Sequence, residues 1–433
     1  MAKKLKRLGR RVAIVAGLRT PFCKAGTDLA SLTAIDLGKA AVWELLQRTE
    51  IDPKEIDAMV YGNVVPYPIA PNIAREVLLS LDLPGHIQAT TVMRACASGT
   101  EATAQAANSI ALGYTDCAIV GGVDSLSDVP ILLGKKLTDT LVKASRAKGF
   151  QAQLKLFSQI RPADLTPRPP AIAERSTGKS MGWHAEAMAK LNEISREAQD
   201  ELAYQSHARA YAATQDGRLP AEIAPVYIPK TGKAVTEDNH IRSDSTVAAL
   251  AKLRPVYDKK YGSVTAGNAC PITDGASAML IMAEEKAKAL GYEPMGYVTT
   301  HAFAAVDPHW QLLIGPTFAV SRALEQAGLK LSDIDLFDIH EAFAAQVLSN
   351  MKALASESFA REHLGRSEAV GEVDPERFNV CGGSIAMGHP FAATAGRQIV
   401  TVLNELKRRG GQYGLVTQCA AGAMGGAMIL ERE

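Results

Sequence analysis

The sequence lacks paired cysteines. Its 433 residues include six, at positions 23, 96, 117, 270, 381 and 419, and none forms a Cys-x-x-Cys pair. That spacing indicates neither a zinc site nor a disulfide framework, and free thiols fit a reducing compartment. No apolar run reaches the ~18 residues of a membrane-spanning helix, and no signal-peptide apolar region follows the start. Charge of one sign is lacking too. A net charge of +1 gives no general case for nucleic acid or strongly acidic partners. What is present is apolar bulk: 47% hydrophobic residues, enough for a large core and two or three domains. The opening segment, Met1 to Arg11, is basic. It reads as a solvated tail, with a surface or targeting element as the alternative.

In chain order, Val12–Ala16 is a short apolar run closed by Gly17 and reads as a buried strand. Ser31 to Gln47 carries helical periodicity, and Ile56–Gly62 is the next strand. The β-branched Thr90, Thr91 and Val92 lead into Met93-Arg94-Ala95-Cys96-Ala97-Ser98-Gly99-Thr100, and a small-residue helical pattern leads out of it. Asp116–Gly122 reads as a further strand. This alternation predicts an α/β domain with a largely parallel sheet covered by helices on both faces.

From Ile131 to about Arg254 the alternation stops, and the stretch reads as an insertion. Within 131–161 stand seven basic residues against the single acid Asp139, interleaved with leucines. Such a segment suits a solvated helix face, a partner site or a membrane surface. Ser263–Ala269 resumes the first unit, Ala278–Met282 is its final strand after Asp274-Gly275-Ala276, and a second unit begins near Gly296. That unit echoes the first. Leu45-Leu46, Ile51 and Glu55-Ile56-Asp57 align with Ala323-Leu324, Leu329 and Asp333-Ile334-Asp335 at one offset of 278 residues. Further on, the Cys96 turn has its counterpart at His389, and the strand at Ala118 at Leu415-Val416-Thr417. The expectation is a duplicated α/β domain whose equivalent loops share one cleft.

Cys96 sits at a strand-to-helix turn, where unpaired N–H groups and the helix dipole favour a thiolate. A cysteine among small residues is also what a packing position looks like. Three other loops carry reactive side chains: His340-Glu341-Ala342-Phe343, the glycine-dense Gly382 to Pro390 with His389, and Cys419 to Gly425. Together with Gly121–Ser127, Leu253-Arg254-Pro255 and Thr265-Ala266-Gly267-Asn268, they resemble the thiolase family over essentially the whole chain.

The resemblance implies a thiolase fold: two duplicated α/β domains layered αβαβα, with an inserted loop domain. The first domain would span 1–128 and be completed by 256–290, the loop domain 129–255 would cover coenzyme A, and the second domain would be 291–433. It implies cleavage of a 3-ketoacyl-CoA by CoA, giving acetyl-CoA and an acyl-CoA two carbons shorter. His389 would take the proton of the nucleophile Cys96, and Cys419 would act as acid and then base. One oxyanion hole would be His389 with a water held by His340. The other would be the backbone N–H groups of Cys96 and Ala421, with Gly422 beside it. Met181, Arg254, Ala266 and Cys270 are candidate CoA contacts. CoA is a cosubstrate, and neither a metal nor a redox cofactor is implied.

Three departures from the family pattern stand out. His340 replaces a common Asn and resembles the β-subunits of fatty-acid β-oxidation complexes. Ala420 and Ala421 replace glycines, and alanine disfavours φ > 0. Cys270 stands where many members have Ser. The expectation is therefore a degradative 3-ketoacyl-CoA thiolase with a homodimeric core. A hydratase/dehydrogenase α-subunit would complete an α2β2-type complex, with 131–161 as the docking or peripheral membrane segment. The cytoplasm of a bacterium is the expected location, with the mitochondrial matrix or inner membrane face as the alternative. Competing readings are a biosynthetic acetoacetyl-CoA thiolase and a non-catalytic lipid-binding member. A decarboxylating ketoacyl synthase would need a Cys-His-His triad, where this chain has Cys419.

Overall fold

The computed structural model describes residues 9–167 and 173–433. The first eight residues of the basic opening, and residues 168–172 of the insertion, lie outside them.

Nine strands form one sheet: β1 (Val12–Arg19), β2 (Ala58–Gly62), β3 (Gln88–Val92), β4 (Cys117–Asp124), β5 (Thr273–Ala283), β6 (Gly296–Ala305), β7 (Leu336–Ile339), β8 (Tyr413–Ala420) and β9 (Met424–Glu431). Their spatial order is β7-β8-β9-β6-β1-β5-β4-β2-β3, and the two-residue strand Cys23–Lys24 pairs with β5 off this path. The halves join where β1 pairs with β6 over Val12–Ile14. Around this seam the order is mirrored, with β1 answering β6, β5 answering β9, β4 answering β8 and β2 answering β7.

The duplication read at an offset of 278 extends to local detail. Helix α1 (Ala34–Thr49) ends at Glu50 in the left-handed region, and its counterpart, Gly315–Ala327, ends at Gly328 in the same conformation. One-turn helices follow at Pro53–Glu55 and Leu331–Asp333. Asp57 then accepts the N–H groups of Asp116 and Cys117, and Asp335 accepts those of Gln412 and Tyr413, all at 2.8–3.0 Å.

The expected parallel sheet is corrected. Only β2–β3, β2–β4 and β7–β8 are parallel, and the other neighbours along the path are antiparallel. β8 and β9 are joined by a turn of three residues, which only an antiparallel pair allows. β5 enters from the insertion rather than through a crossover helix from β4. Two strand limits also move. β1 runs through Gly17, with an irregular register between Ile14 and Ala16, and β5 already includes Asp274-Gly275-Ala276.

Helix α1 and α2 (Ile73–Ser80) cover one outer face of the sheet. The helices Gly315–Ala327 and Ala344–Leu354 cover the other. Between the two halves lie α3 (Ser98–Ala111) and the long helix Ala393–Arg409. β5 shows why such strands read as unbroken apolar runs. Ala276, Ala278, Leu280 and Met282 face the outer helices, while Met279, Ile281 and Ala283 face the central pair.

Between 131 and 254 no described strand exceeds two residues, yet the stretch is rich in helices. It contains α4 (Lys135–Arg146), α5 (Phe150–Phe157), α6 (Met181–Leu191) and α7 (Arg196–Gln215). The helix face that 131–161 suits is present as α4 and α5, whereas α7 escaped sequence patterning because it has no strong apolar stripe: it buries Gln199, Asp200, Ser206 and His207 alongside alanines. Among the described residues no helix is long and apolar enough to cross a membrane.

The two repeated aspartates make matched probes of the duplication. Asp57→Ala and Asp335→Ala each leave two backbone donors without their acceptor, so each is expected to lower unfolding stability by about 1–3 kcal/mol. Urea denaturation of the two variants checks this, with a clear loss in only one of them counting against equivalent roles.

Candidate active site

The turn before α3 is wound tightly. Ala97 and Ser98 donate their N–H groups to Arg94 O and Ala95 O, both at 3.0 Å. The Ser98 hydroxyl donates to Ala95 O at 2.6 Å and accepts from Arg94 N–H at 2.7 Å. Ala95 takes φ +45° to close the turn, and Cys96 stands half-buried at its crest.

His389 faces the same point from the other half of the molecule. Gly388 before it has φ +104°, and a Cβ there would lie 2.3 Å from Thr273 Cγ2. Only glycine permits this reversal against β5. Glycine density in this block therefore serves close packing as well as exposure of N–H groups; a Cβ at Gly383 would likewise meet the Glu341 carboxyl. His389 Nδ1 pairs with Thr394 Oγ1 at 2.6 Å, and His340 Nδ1, beyond the end of β7, pairs with Ser384 Oγ at 2.8 Å. The two imidazoles lie with centroids 4.0 Å apart. Their Nε2 atoms are buried and have no hydrogen-bond partner among the described residues. Cys96 Sγ and one ring nitrogen of each histidine lie within 4.8 Å of one another. One thiol and two imidazoles also have the composition of a donor set for a thiophilic metal.

Cys419 closes the group from β8. It is buried, and Ala420, Ala421 and Met424 around it pack on Ala95 and Ala97 beside Cys96. The backbone N–H groups of Cys96 and Ala421 both donate toward Cys96 Sγ. Gly422 does not join them: its N–H is taken by Glu174 Oε2, at 2.9 Å, from the hairpin before α6. The expected strain at Ala420 and Ala421 is absent as well. The left-handed positions fall on Gly422 (φ +81°) and Ala423 (φ +58°).

Burial decides the protonation states. It pushes the Cys96 thiol up to about 12, and the two N–H groups pull the other way without overcoming it. Cys419 is raised by burial and by the nearby Cys96 and Cys270. His389 is lowered to about 3 by burial and by the Arg397 guanidinium. His340 is lowered by burial, His389 and Arg397. The resting site thus holds thiols and neutral imidazoles. Desolvation therefore opposes the thiolate that the helix N-terminus favours, which fits a Cys96 that gives up its proton to His389.

Several residues without a role in the motif reading hold these groups. Glu341, buried, accepts from Ser206 Oγ and Asn379 Nδ2 at 2.7 Å and from Ile385 N–H at 3.0 Å. It thereby ties α7 of the insertion to the His340 and Gly382–Pro390 loops. Asp124 accepts the N–H groups of Val64, Val65 and Ala392 at 2.7–2.9 Å, joining the end of β4 to the loop after His389. Ser384 and Thr394 orient the imidazoles. The signal available in the sequence was their position inside or just beyond the quoted motifs.

The candidate CoA contacts divide into two groups. Met181 starts α6 and packs with Tyr257, Ala269 and Phe343 in the apolar cluster that includes Cys419. Cys270 follows Ala269, donates its N–H to Ala342 O at 3.1 Å, and lies close enough to Cys96 to feel its charge. Arg254 and Ala266 are exposed on neighbouring loops, where Leu253 packs onto Gly267.

The protonation states yield a direct expectation. Alkylation of Cys96 by iodoacetamide in substrate-free protein should rise about tenfold per pH unit between pH 7 and 9, because the thiolate fraction grows tenfold per unit below the pKa. Mass spectrometry of the Cys96 peptide measures the rate, and a plateau already reached at pH 7 would mean a resting thiolate instead.

The chain matches two family profiles, the thiolase N-terminal domain over residues 12–285 and the thiolase C-terminal domain over 292–432. It is 54% identical over 427 residues to the 3-ketoacyl-CoA thiolase of Yersinia pestis (strain Pestoides F), covering 99% of this chain and 98% of that protein. Human mitochondrial 3-ketoacyl-CoA thiolase, solved in complex with CoA, superposes with TM-score 0.82 at 31% identity, covering 98% of this chain and 99% of that one. The acetyl-CoA acetyltransferase of Bacillus anthracis superposes with TM-score 0.83 at 31% identity and the same coverage. With both halves matched and every reactive loop inside the matched segments, the chain belongs to the thiolase family.

Proposed function

We propose that the chain is a degradative 3-ketoacyl-CoA thiolase working by a Cys96 acyl-enzyme. The observation that carries this reading is the convergence of Cys96 with two unpartnered imidazole Nε2 atoms, beside a second thiol, Cys419, close enough to Cys96 to interact with it electrostatically. The tautomer with its proton on Nδ1, paired with Thr394 Oγ1, leaves Nε2 as the acceptor. It takes the Cys96 proton as sulfur attacks the 3-keto carbon, so charge separates only when the carbon–sulfur bond forms. The N–H groups of Cys96 and Ala421 stabilise the resulting oxyanion, a role supported by both acting on the Cys96 sulfur. Scission of the C2–C3 bond releases the acetyl-CoA enolate, which His340 and His389 stabilise at the thioester oxygen. Cys419 donates its proton to C2. The Cys419 thiolate then deprotonates the incoming CoA thiol, which attacks the acyl-enzyme and restores Cys96. Cys419 also disfavours the decarboxylating synthase, whose Cys-His-His triad has a histidine at the position of Cys419.

CoA enters along Met181 and Cys270, with Arg254 and Ala266 at the rim. A homodimeric core and a bacterial cytoplasmic location are part of the same reading, supported by the thiolase family resemblance and by a bacterial relative. The α4–α5 pair supports a larger complex. Leu132, Leu133, Leu141, Val142, Phe150 and Leu154 are exposed there among lysines and arginines, the signature of a surface that docks a partner or an anionic membrane.

Two measurements test the proposal. Thiolysis of 3-ketoacyl-CoA substrates from four to sixteen carbons should extend to long chains and vanish in Cys96→Ala. Activity confined to acetoacetyl-CoA would favour the biosynthetic alternative, and no activity at all the non-catalytic one. A Leu141→Asp/Leu154→Asp variant should keep thiolysis of short substrates while losing association with a hydratase/dehydrogenase subunit in gel filtration. Retained association with lost binding to anionic phospholipid vesicles would assign the surface to lipid.

A further inference from the structure

Behind the reactive groups runs an unbroken line of buried polar side chains. Thr100 Oγ1, on the first turn of α3, donates to Gln418 Oε1 at 2.6 Å. Gln418 Nε2 donates to Gln398 Oε1 at 2.6 Å. Gln398 Nε2 donates to Asp338 Oδ1 at 2.8 Å and to Asp338 O at 2.9 Å. The other carboxylate oxygen of Asp338 accepts from Arg397 Nη1. All five side chains are buried, none more than 4% exposed.

Their positions are not scattered. Thr100 is one turn beyond Cys96, Gln418 adjoins Cys419, and Asp338 is two residues before His340. Arg397 and Gln398 stand one turn beyond Thr394, the partner of His389. Each reactive loop thus has one member of the line beside it. Burying a glutamine pair and an ion pair in a core is costly unless the bonds are made, and Arg397 Nη2 has no hydrogen-bond partner among the described residues. Apolar side chains of equal volume would pack here at least as stably.

We propose that the line Thr100–Gln418–Gln398–Asp338–Arg397 is the positioning element of this site: it locks the four reactive loops into one register, and its single guanidinium sets the field in which the two histidines work. The inference rests on the thiolase reading above and names the residues that act through the reacting groups without touching substrate. The field has a defined source. Arg397 is a cation lowering both His340 and His389. The other titratable groups around the histidines are Cys96 before α3, Cys419 on β8, Cys270 before β5, Glu341 and Asp338 flanking His340, and Asp124, which holds Ala392. Without the guanidinium, both imidazoles lose a nearby cation, while burial favours the neutral acid of Asp338, so the imidazolium form gains. His389 then loses its acceptor site as pH falls through a higher pKa, so activity is lost at a higher pH than in the wild type.

The experiment is the pH profile of kcat/KM for thiolysis in wild type, Arg397→Gln and Arg397→Lys. In Arg397→Gln the acid limb should move up by about one pH unit or more, the scale expected for losing a neighbouring charge. Arg397→Lys, which keeps the cation, should retain the wild-type limb while kcat falls. Equal loss in both variants with an unmoved limb would mean a structural role only and would overturn the proposal. Because Arg397→Gln strands a buried carboxylate and can fail to fold, Thr100→Val probes the far end of the line. It should lower kcat on the order of tenfold with KM nearly unchanged, the mark of misplaced groups rather than weakened binding. Thr100→Val with wild-type kcat would overturn the register claim. An inactive wild type would sink the thiolase reading, whereas an active wild type matched by these variants sinks this inference alone.

Discussion

The close approach of α3 to the helix Ala393–Arg409 is the contact on which the rest depends. A Cβ at Gly99 would lie 2.5 Å from Ala392 O and 3.0 Å from Ala395 Cβ, so the two helix N-termini meet backbone to backbone. Cys96 precedes one helix and His389 the other. Two loops almost three hundred residues apart in sequence are thereby delivered to one point. Small residues make this possible: Ala392 and Ala395 fill the space that larger side chains would deny. Seating the helices between two halves of one sheet fixes their rotation, because each must bury apolar side chains against strands on both sides.

That seating also buries the two imidazoles and Cys419, and burial governs the chemistry. A thiol raised to about 12 beside an imidazole lowered to about 3 is a pair in which neither partner is charged before the reaction. Burial pushes the interior acids up, Asp124 to about 7, and fixed donors pull the other way. Asp124 and Glu341 each accept several hydrogen bonds, and each joins loops that bear reactive groups. The insertion belongs to the same framework. Through Ser206 it binds Glu341, and through Glu174 it occupies the N–H of Gly422.

Much of the architecture was legible in the sequence because it rests on neighbours. The constant offset of 278 marked helix, one-turn connection and strand, and the same offset reappears in the paired aspartates Asp57 and Asp335. The strand-to-helix setting of Cys96 followed from β-branched residues giving way to small ones. The direction of the strands was less legible. A buried strand has the same composition whether its neighbour runs parallel or antiparallel, and only the connection distinguishes them. Helix α7 of the insertion was hidden for another reason: it buries polar residues against polar partners, so its apolar periodicity is faint.

The sequence by itself determined the identity and order of the reactive side chains, the repeat, and the local turns that hold Cys96 and His389, because these depend on residues a few positions apart. Tertiary structure alone decided which groups meet, which N–H groups remain free and which side chains carry charge. Ala421 and Gly422 show the difference. They are adjacent in sequence and equivalent in chemistry, yet one N–H faces Cys96 and the other is claimed by Glu174, 248 residues away. Hydration and proximity are properties of space rather than of chain order, and protonation follows hydration.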